Sequence, residues 1–247
     1  MTPYQADCDE WGISCVLNGK LELPTAKETV LHFFESLQKS TPGMTEFERR
    51  DNGEYVLEEE REGGSYRWTT VDSKRLATGF VAPPGADQAD EHIQRVLDLS
   101  TYHLDLGRMT TEYLDATYYF EFLYQGNHDE VVAQALAEGS PFEELTQYPG
   151  GKVLNYQPSL LIALDDACQR QARINIETRT TAYQVRTGNF PEVPISVFLT
   201  VRQFWGKNPP GSFGESYRHQ RTILEELAQS YVRPKILRPL QRVIATK

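Results

Sequence analysis

Residues 118–136 read YYFEFLYQGNHDEVVAQAL, an aromatic run that breaks at a glycine and gives way to a helical pattern. Upstream, Leu114, Ala116, Tyr118, Phe120, Phe122 and Tyr124 alternate with Tyr113, Asp115, Thr117, Tyr119 and Glu121. A period of two predicts a strand with one apolar face and one wetter face. Gly126 interrupts it, Asn127 is a good N-cap, and Glu130 three positions on makes an N-x-x-E variant of the capping box. Val131, Val132, Ala135 and Leu136 carry the helix toward Gly139, a natural stop. His128, Asp129 and Glu130 are all metal-ligand types, but three consecutive side chains diverge around a helix start. Acidic residues in a first turn complement the helix dipole, so the cluster reads as punctuation between strand and helix.

Residues 13–37, ISCVLNGKLELPTAKETVLHFFESL, follow the same plan. An extended segment ends at Pro24, Thr25 is placed to cap, Glu28 follows at the capping-box position, and Val30, Leu31, Phe34 and Leu37 form an apolar stripe. A shift of 102 positions carries Thr25 onto Asn127, Glu28 onto Glu130, Val30 onto Val132 and Phe34 onto Leu136. After the first helix come MTEFERR, EYVLEEER, SYRWTTV and KRLATGFV, divided by DNG, EGG and DS turns, then a helix over 89–99. After the second come KVLNYQPSLLIALDD, a long strand-like QRQARINIETRTTAYQVR and PISVFLTVRQFW, then a helix over 214–232. The expectation is an α+β fold in two similar halves, 1–109 and 110–232, each strand–helix–three or four antiparallel strands–helix, with a basic tail at 233–247.

That element order, spanning 12–232, resembles the duplicated β-α-β-α units of the TATA-binding proteins and, taken singly, the helix-grip ligand-binding domains. The resemblance implies a saddle-like sheet surface in the one case and a cavity between helix and sheet in the other. The DNA-reading surface of the first family needs basic and wedge residues on the sheet, and this chain is acidic, so no nucleic-acid function carries over.

The chain has 247 residues with 39% hydrophobic and 24% charged, the balance of an ordinary globular protein. Its net charge is −10, and because five basic and no acidic residues fall in 233–247, −10 less +5 leaves −15 on residues 1–232. Such a charge repels a phosphate backbone. The tail either offers a basic patch to a partner or docks through Ile236, Leu237, Leu240 and Val243 onto the chain's own acidic face. Apolar runs such as SLLIAL at 159–164 fall short of a membrane span, and the start MTPYQADCDEWG lacks a signal-peptide pattern, so a cytoplasmic location is expected. Cys8, Cys15 and Cys168 have no zinc-ligand spacing and read as free thiols; no cofactor or metal is expected.

Three stretches carry candidate chemistry. His103 and Asp105 in YHLDLGR, with Arg108 beyond, fall on one side of an expected strand, as a base and its orienting carboxylate would. No G-x-S-x-G nucleophile elbow accompanies them, and a solvated strand face is the simpler account. Tyr66 and Trp68 share a strand face, with the core as their commoner fate. The segment 205–216 has glycines but no phosphate-loop motif, and reads as a connection with Ser212 or Glu215 near the start of the last helix. The richest set comes from three strands whose wetter sides bear Arg173 and Arg179, then Arg202, then Tyr119 and Glu121. Sharing one surface, they suit an anionic or planar aromatic ligand; the plainer alternative is cross-strand ion pairing on an exposed face. Two functions follow: a binding or adaptor protein that engages a protein partner by its polar sheet face and basic tail, or a helix-grip-like protein or enzyme that closes Arg173, Arg179, Arg202, Tyr119 and Glu121 around a small molecule. A closed cavity favours the second and an open sheet face the first.

Overall fold

A computed structural model describes residues 4–206 and 211–247. The alternating segment forms β6 (Thr111–Tyr124), the longest strand of a nine-stranded antiparallel sheet and the neighbour of β1 (Glu10–Gly19) at its centre. From β1 the sheet runs outward through β5 (Arg75–Val81), β4 (Tyr66–Val71) and β3 (Tyr55–Glu59) to β2 (Met44–Arg49). From β6 it runs through β9 (Val193–Phe204) and β8 (Arg170–Glu177) to β7 (Ser159–Ala163). The protein is therefore α+β, with every strand pair antiparallel.

One side of this sheet is covered. Trp11, Ile13, Cys15 and Leu17 of β1, with Leu114, Ala116, Tyr118, Phe120 and Phe122 of β6, share a single buried cluster with the apolar stripes of the helices. Those helices are α1 (Lys27–Ser40), α2 (Ala86–His103), α3 (His128–Leu136), α6 (Phe213–Leu227) and α7 (Arg238–Ala245). Burying the alternate side chains of two adjacent 10- and 14-residue strands against helices is the main reason the period of two is so legible in the sequence. A short α4 (Glu143–Thr146) lies in the connection from α3 to β7, and α5 (Ala182–Thr187) lies between β8 and β9.

Local details separate from the sequence expectation in places. Asn127 caps α3 as expected, its side chain accepting from the Glu130 N–H, and its amide also donates to the Val153 carbonyl. Thr25 does not cap: α1 starts at Lys27 behind Ala26, one position too late for the hydroxyl. The segment 169–186 is not one strand, since a Thr181–Gln184 capping box opens α5. His103 lies on the last turn of α2, not on a strand, and its ring stacks on His32 of α1 with centroids 6.4 Å apart. Asp105 follows with φ +49°, so the His103–Asp105 strand pair does not exist. Ser212 caps α6 through the Glu215 N–H at 3.1 Å, while positions 207–210 of that connection lie outside the described residues.

Past α6 the chain remains helical. Residues 228–237 form wide π-type turns around Pro234, which lacks the N–H that a regular turn would use, and α7 follows. Leu237 and Leu240 are fully buried, Arg233 and Arg238 reach the buried Asp7 at 2.7 and 3.5 Å, and Lys247 meets Glu130 at 2.7 Å.

Candidate functional site

Strand alternation puts Tyr119 and Glu121 of β6, Arg202 of β9 and Arg173 of β8 on the side of the sheet away from the helices. Arg179, two residues past β8, reaches the same side. The five form two groups on an open face, not the wall of one enclosed cavity.

The first group surrounds Glu121. Its carboxylate accepts from Ser196 Oγ at 3.1 Å and lies 3.9 Å from Arg179 Nη2, while Arg179 Nη1 donates to Ser196 Oγ at 2.9 Å and to the Pro194 carbonyl. Across the strand pair Glu10 stands directly opposite Glu121. Burial, and then that neighbouring carboxylate, raise the Glu10 pKa above its ordinary value. Tyr119 lies across Gly12 of β1: a Cβ there would occupy the place of the phenol ring. Burial first, then Glu10, Tyr66 and Glu121, hold the Tyr119 hydroxyl protonated far above neutral pH, leaving it a donor.

The second group is built on Arg202. Its guanidinium forks onto Asp115 with two bonds of 2.7 Å and sits over the Tyr113 ring, 3.7 Å from its centroid, with Phe204 at 5.7 Å. Burial pushes the Asp115 carboxyl upward against the pull of Arg202, and the hydrogen bond from Arg202 to Asp115 raises the guanidinium in turn. A shallow cleft of about 180 Å³ runs beside this pair, lined by Asp115, Leu161, Gln171, Arg173, Thr200 and Arg202. Arg173 is exposed there, and its guanidinium makes no hydrogen bond or ion pair among the described residues.

Tyr66 and Trp68 extend the same face on the other side of β1 and are not in the core. Trp68 covers Gly79 as Tyr119 covers Gly12, and a Cβ on Gly79 would meet the indole at 2.9 Å. Arg61 stacks on Tyr66 at 5.3 Å, and a cleft of about 310 Å³ opens between these rings and Arg50, Glu58 and Arg75. Phe198 completes the set, directly opposite both Tyr119 and Asn175. Glycine under ring is the signal the sequence offers here: Gly12 and Gly79 interrupt strands at points where a neighbouring ring needs the space.

Groups elsewhere are committed to structure. His128 contacts the Tyr124 carbonyl at 3.1 Å, Asp129 takes the Tyr156 N–H and the Thr178 hydroxyl at 2.8 Å each, and Glu130 pairs with Lys247. The cluster divides among three directions, as expected of a helix start. Burial raises the Cys8 thiol to about 12 and the Cys15 thiol well above its usual range, so neither supplies a thiolate at neutral pH. Among the described residues, no group of three or more His, Cys, Asp and Glu side chains converges to hold a metal ion, and no helix is long and apolar enough to cross a membrane. A cleft of about 470 Å³ on the helix side, lined by Arg67, His92, Arg95 and Asp98 among others, includes none of the five candidate residues. No protein-family model and no curated protein sequence matches the chain.

Proposed function

We propose that this protein is a cytoplasmic binding or adaptor protein, and that the uncovered face of its sheet is the surface on which a protein partner docks. One observation carries this: six half-buried rings (Tyr66, Trp68, Tyr113, Tyr119, Phe198 and Phe204) share a broad face with arginines that are already paired. Aromatic and arginine side chains fixed in place, with little rotamer freedom left to lose, are the anchors that protein interfaces favour. A partner would gain ring area and hydrogen bonds without first breaking apart a pocket. The basic segment 233–247 is left out of the surface, because Leu237, Leu240 and its ion pairs hold it against the helices.

The surface is best understood as two copies of one design. The sheet order is mirrored about the β1–β6 pair, with each half placing its first strand at the centre, its last strand next, and a helix on the same side. That order supports a duplication and the saddle of the TATA-binding-like arrangement, without its nucleic-acid chemistry. A second function, capture of a small anion, has one observation in its favour: Arg173 stands unpaired beside a cleft lined by Arg202 and Gln171.

Affinity capture separates them. Wild-type bait and a Tyr66→Ser/Trp68→Ser/Phe198→Ser variant are compared, with Arg173→Ala as the second bait variant. A partner retained by wild type and by Arg173→Ala, but lost from the triple variant while that variant still unfolds cooperatively above the capture temperature, is the expected result. A small anion that raises the melting temperature of wild type and not of Arg173→Ala, with no face-dependent partner, would replace this function with the second.

A further inference from the structure

The two edges of the sheet are built in opposite ways. On β2 the exposed residues include Glu46, Glu48 and Arg49, and the register shifts between Met44 and Glu46. Charge and irregularity of that kind keep an edge from pairing with another chain. The other edge, β7, is Ser-Leu-Leu-Ile-Ala and exposed throughout, with Leu160 and Leu161 each 59% and Ile162 41% accessible. No charged residue occurs from Val153 to Leu164. Of the fourteen exposed large apolar side chains among the described residues, seven fall between Phe142 and Ile162, beside a groove of about 980 Å³ that runs along 142–158 into the strand.

The free backbone groups follow from the register. Ile176 donates to the Pro158 carbonyl and Leu164 to the Arg170 carbonyl, so the even-numbered residues of β7 point their N–H and C=O groups at β8. By strand alternation Ser159, Leu161 and Ala163 point theirs outward. We propose that β7 is the dimerisation edge of this protein, pairing antiparallel with β7 of a second copy about a twofold axis through Leu161.

The occupant is a second copy because the edge is complementary to itself. With Leu161 opposite its own counterpart, Leu160 meets Ile162 of the other copy on the helix side, and Ser159 meets Ala163 on the same line as Leu161. Each pairing sets aliphatic against aliphatic or small against small. Two chains of net charge −10 repel over most of their surfaces, and this uncharged strip is where they can approach without that cost. Five strand residues are less than a stable dimer requires, so the apolar groove with Phe142, Tyr148 and Leu154 is the remainder of the contact. Pairing would join two open faces into one continuous sheet surface.

Sedimentation velocity on the full chain tests this. Wild type is expected at twice 28.2 kDa in the micromolar range. Leu161→Pro removes an outward N–H and no bond to β8, so it should give a monomer that melts as wild type does when diluted below its dissociation constant. Leu161→Lys and Leu161→Glu should each be monomeric, because like charges would face each other across the axis, and a one-to-one mixture of the two should dimerise again. Wild type that stays monomeric up to about 100 μM overturns the proposal. So does a dimer that survives both Leu161→Pro and Leu161→Lys, and a Lys/Glu mixture that fails to associate refutes the register.

Discussion

Lowering the pH should destabilise this protein through His92, and the size of the loss can be worked out from where the ring lies. His92 is on α2, 4% exposed, with Nε2 3.0 Å from the Thr78 hydroxyl, which itself bonds to Thr69 and donates to the Trp68 carbonyl. Nδ1 is buried with no partner, so a proton there would be a charge with nothing to solvate it. Burial first, and then the nearby Arg67 guanidinium, lower the His92 pKa from 6.5 to about 4. A depressed pKa means that the unfolded chain takes up the proton before the folded one does. The stabilisation is complete above pH 6.5 and drains away as the pH falls toward 4. A shift of that size corresponds to about 3 kcal/mol. Urea unfolding of wild type and His92→Gln, in which the amide replaces Nε2 at Thr78, is compared at about pH 7 and about pH 4. Carboxylates titrate in both proteins and cancel in the difference. Wild type should lose about 3 kcal/mol more than the variant over that interval. Parallel stability curves for the two would refute the assignment of a buried, uncharged imidazole.

Three further perturbations test other parts of the fold. Asn127→Ala removes the cap of α3 and frees the Val153 carbonyl, and should lower the unfolding free energy by about 1–2 kcal/mol in urea. Leu240→Ala should cost about 2–5 kcal/mol, since its side chain is wholly buried; a change near zero would mean that 233–247 is not packed in solution. Gly12→Ala should drive the Tyr119 ring off β1, cost about 1–3 kcal/mol, and alter the near-ultraviolet dichroism; an unchanged spectrum would contradict the ring's position.

The central part of the fold was legible because burial is one-sided there. Residues 113–122 alternate, and Asn127 with Glu130 marks a helix start by local chemistry alone, so both appear in the structure where the sequence places them. Sequence and structure part where local signals compete. Thr25 has the right spacing from Glu28 but the backbone turns one residue later. The Thr181–Gln184 box was present in the sequence, yet the polar run before it masked the change from strand to helix. His103 has the alternation of a strand residue beside Leu104 and Leu106, whereas α2 runs to that point and closes with the Leu104 N–H on the Ser100 carbonyl. The wetter sides of three strands could be grouped from the sequence as candidates. Which strands adjoin is decided by the sheet order, which makes SLLIA an edge, and the packing of α2 on β5 brings His92 to Thr78.

The arrangement at Tyr4 has a consequence for how the chain reaches this fold. Its hydroxyl lies 3.4 Å from a Glu225 oxygen, 221 positions away, and Gln241 donates to the Ala6 carbonyl across 235. Asp7 awaits Arg233 and Arg238 in the same way. During synthesis at roughly 5–20 residues per second, more than ten seconds pass between the first of these groups and the last. Until then the Tyr4 hydroxyl and the Asp7 carboxylate lack these partners, and contacts so distant along the chain are slow to form once all are present. Closure of residues 4–7 onto the last helices is therefore expected to be among the late steps of folding.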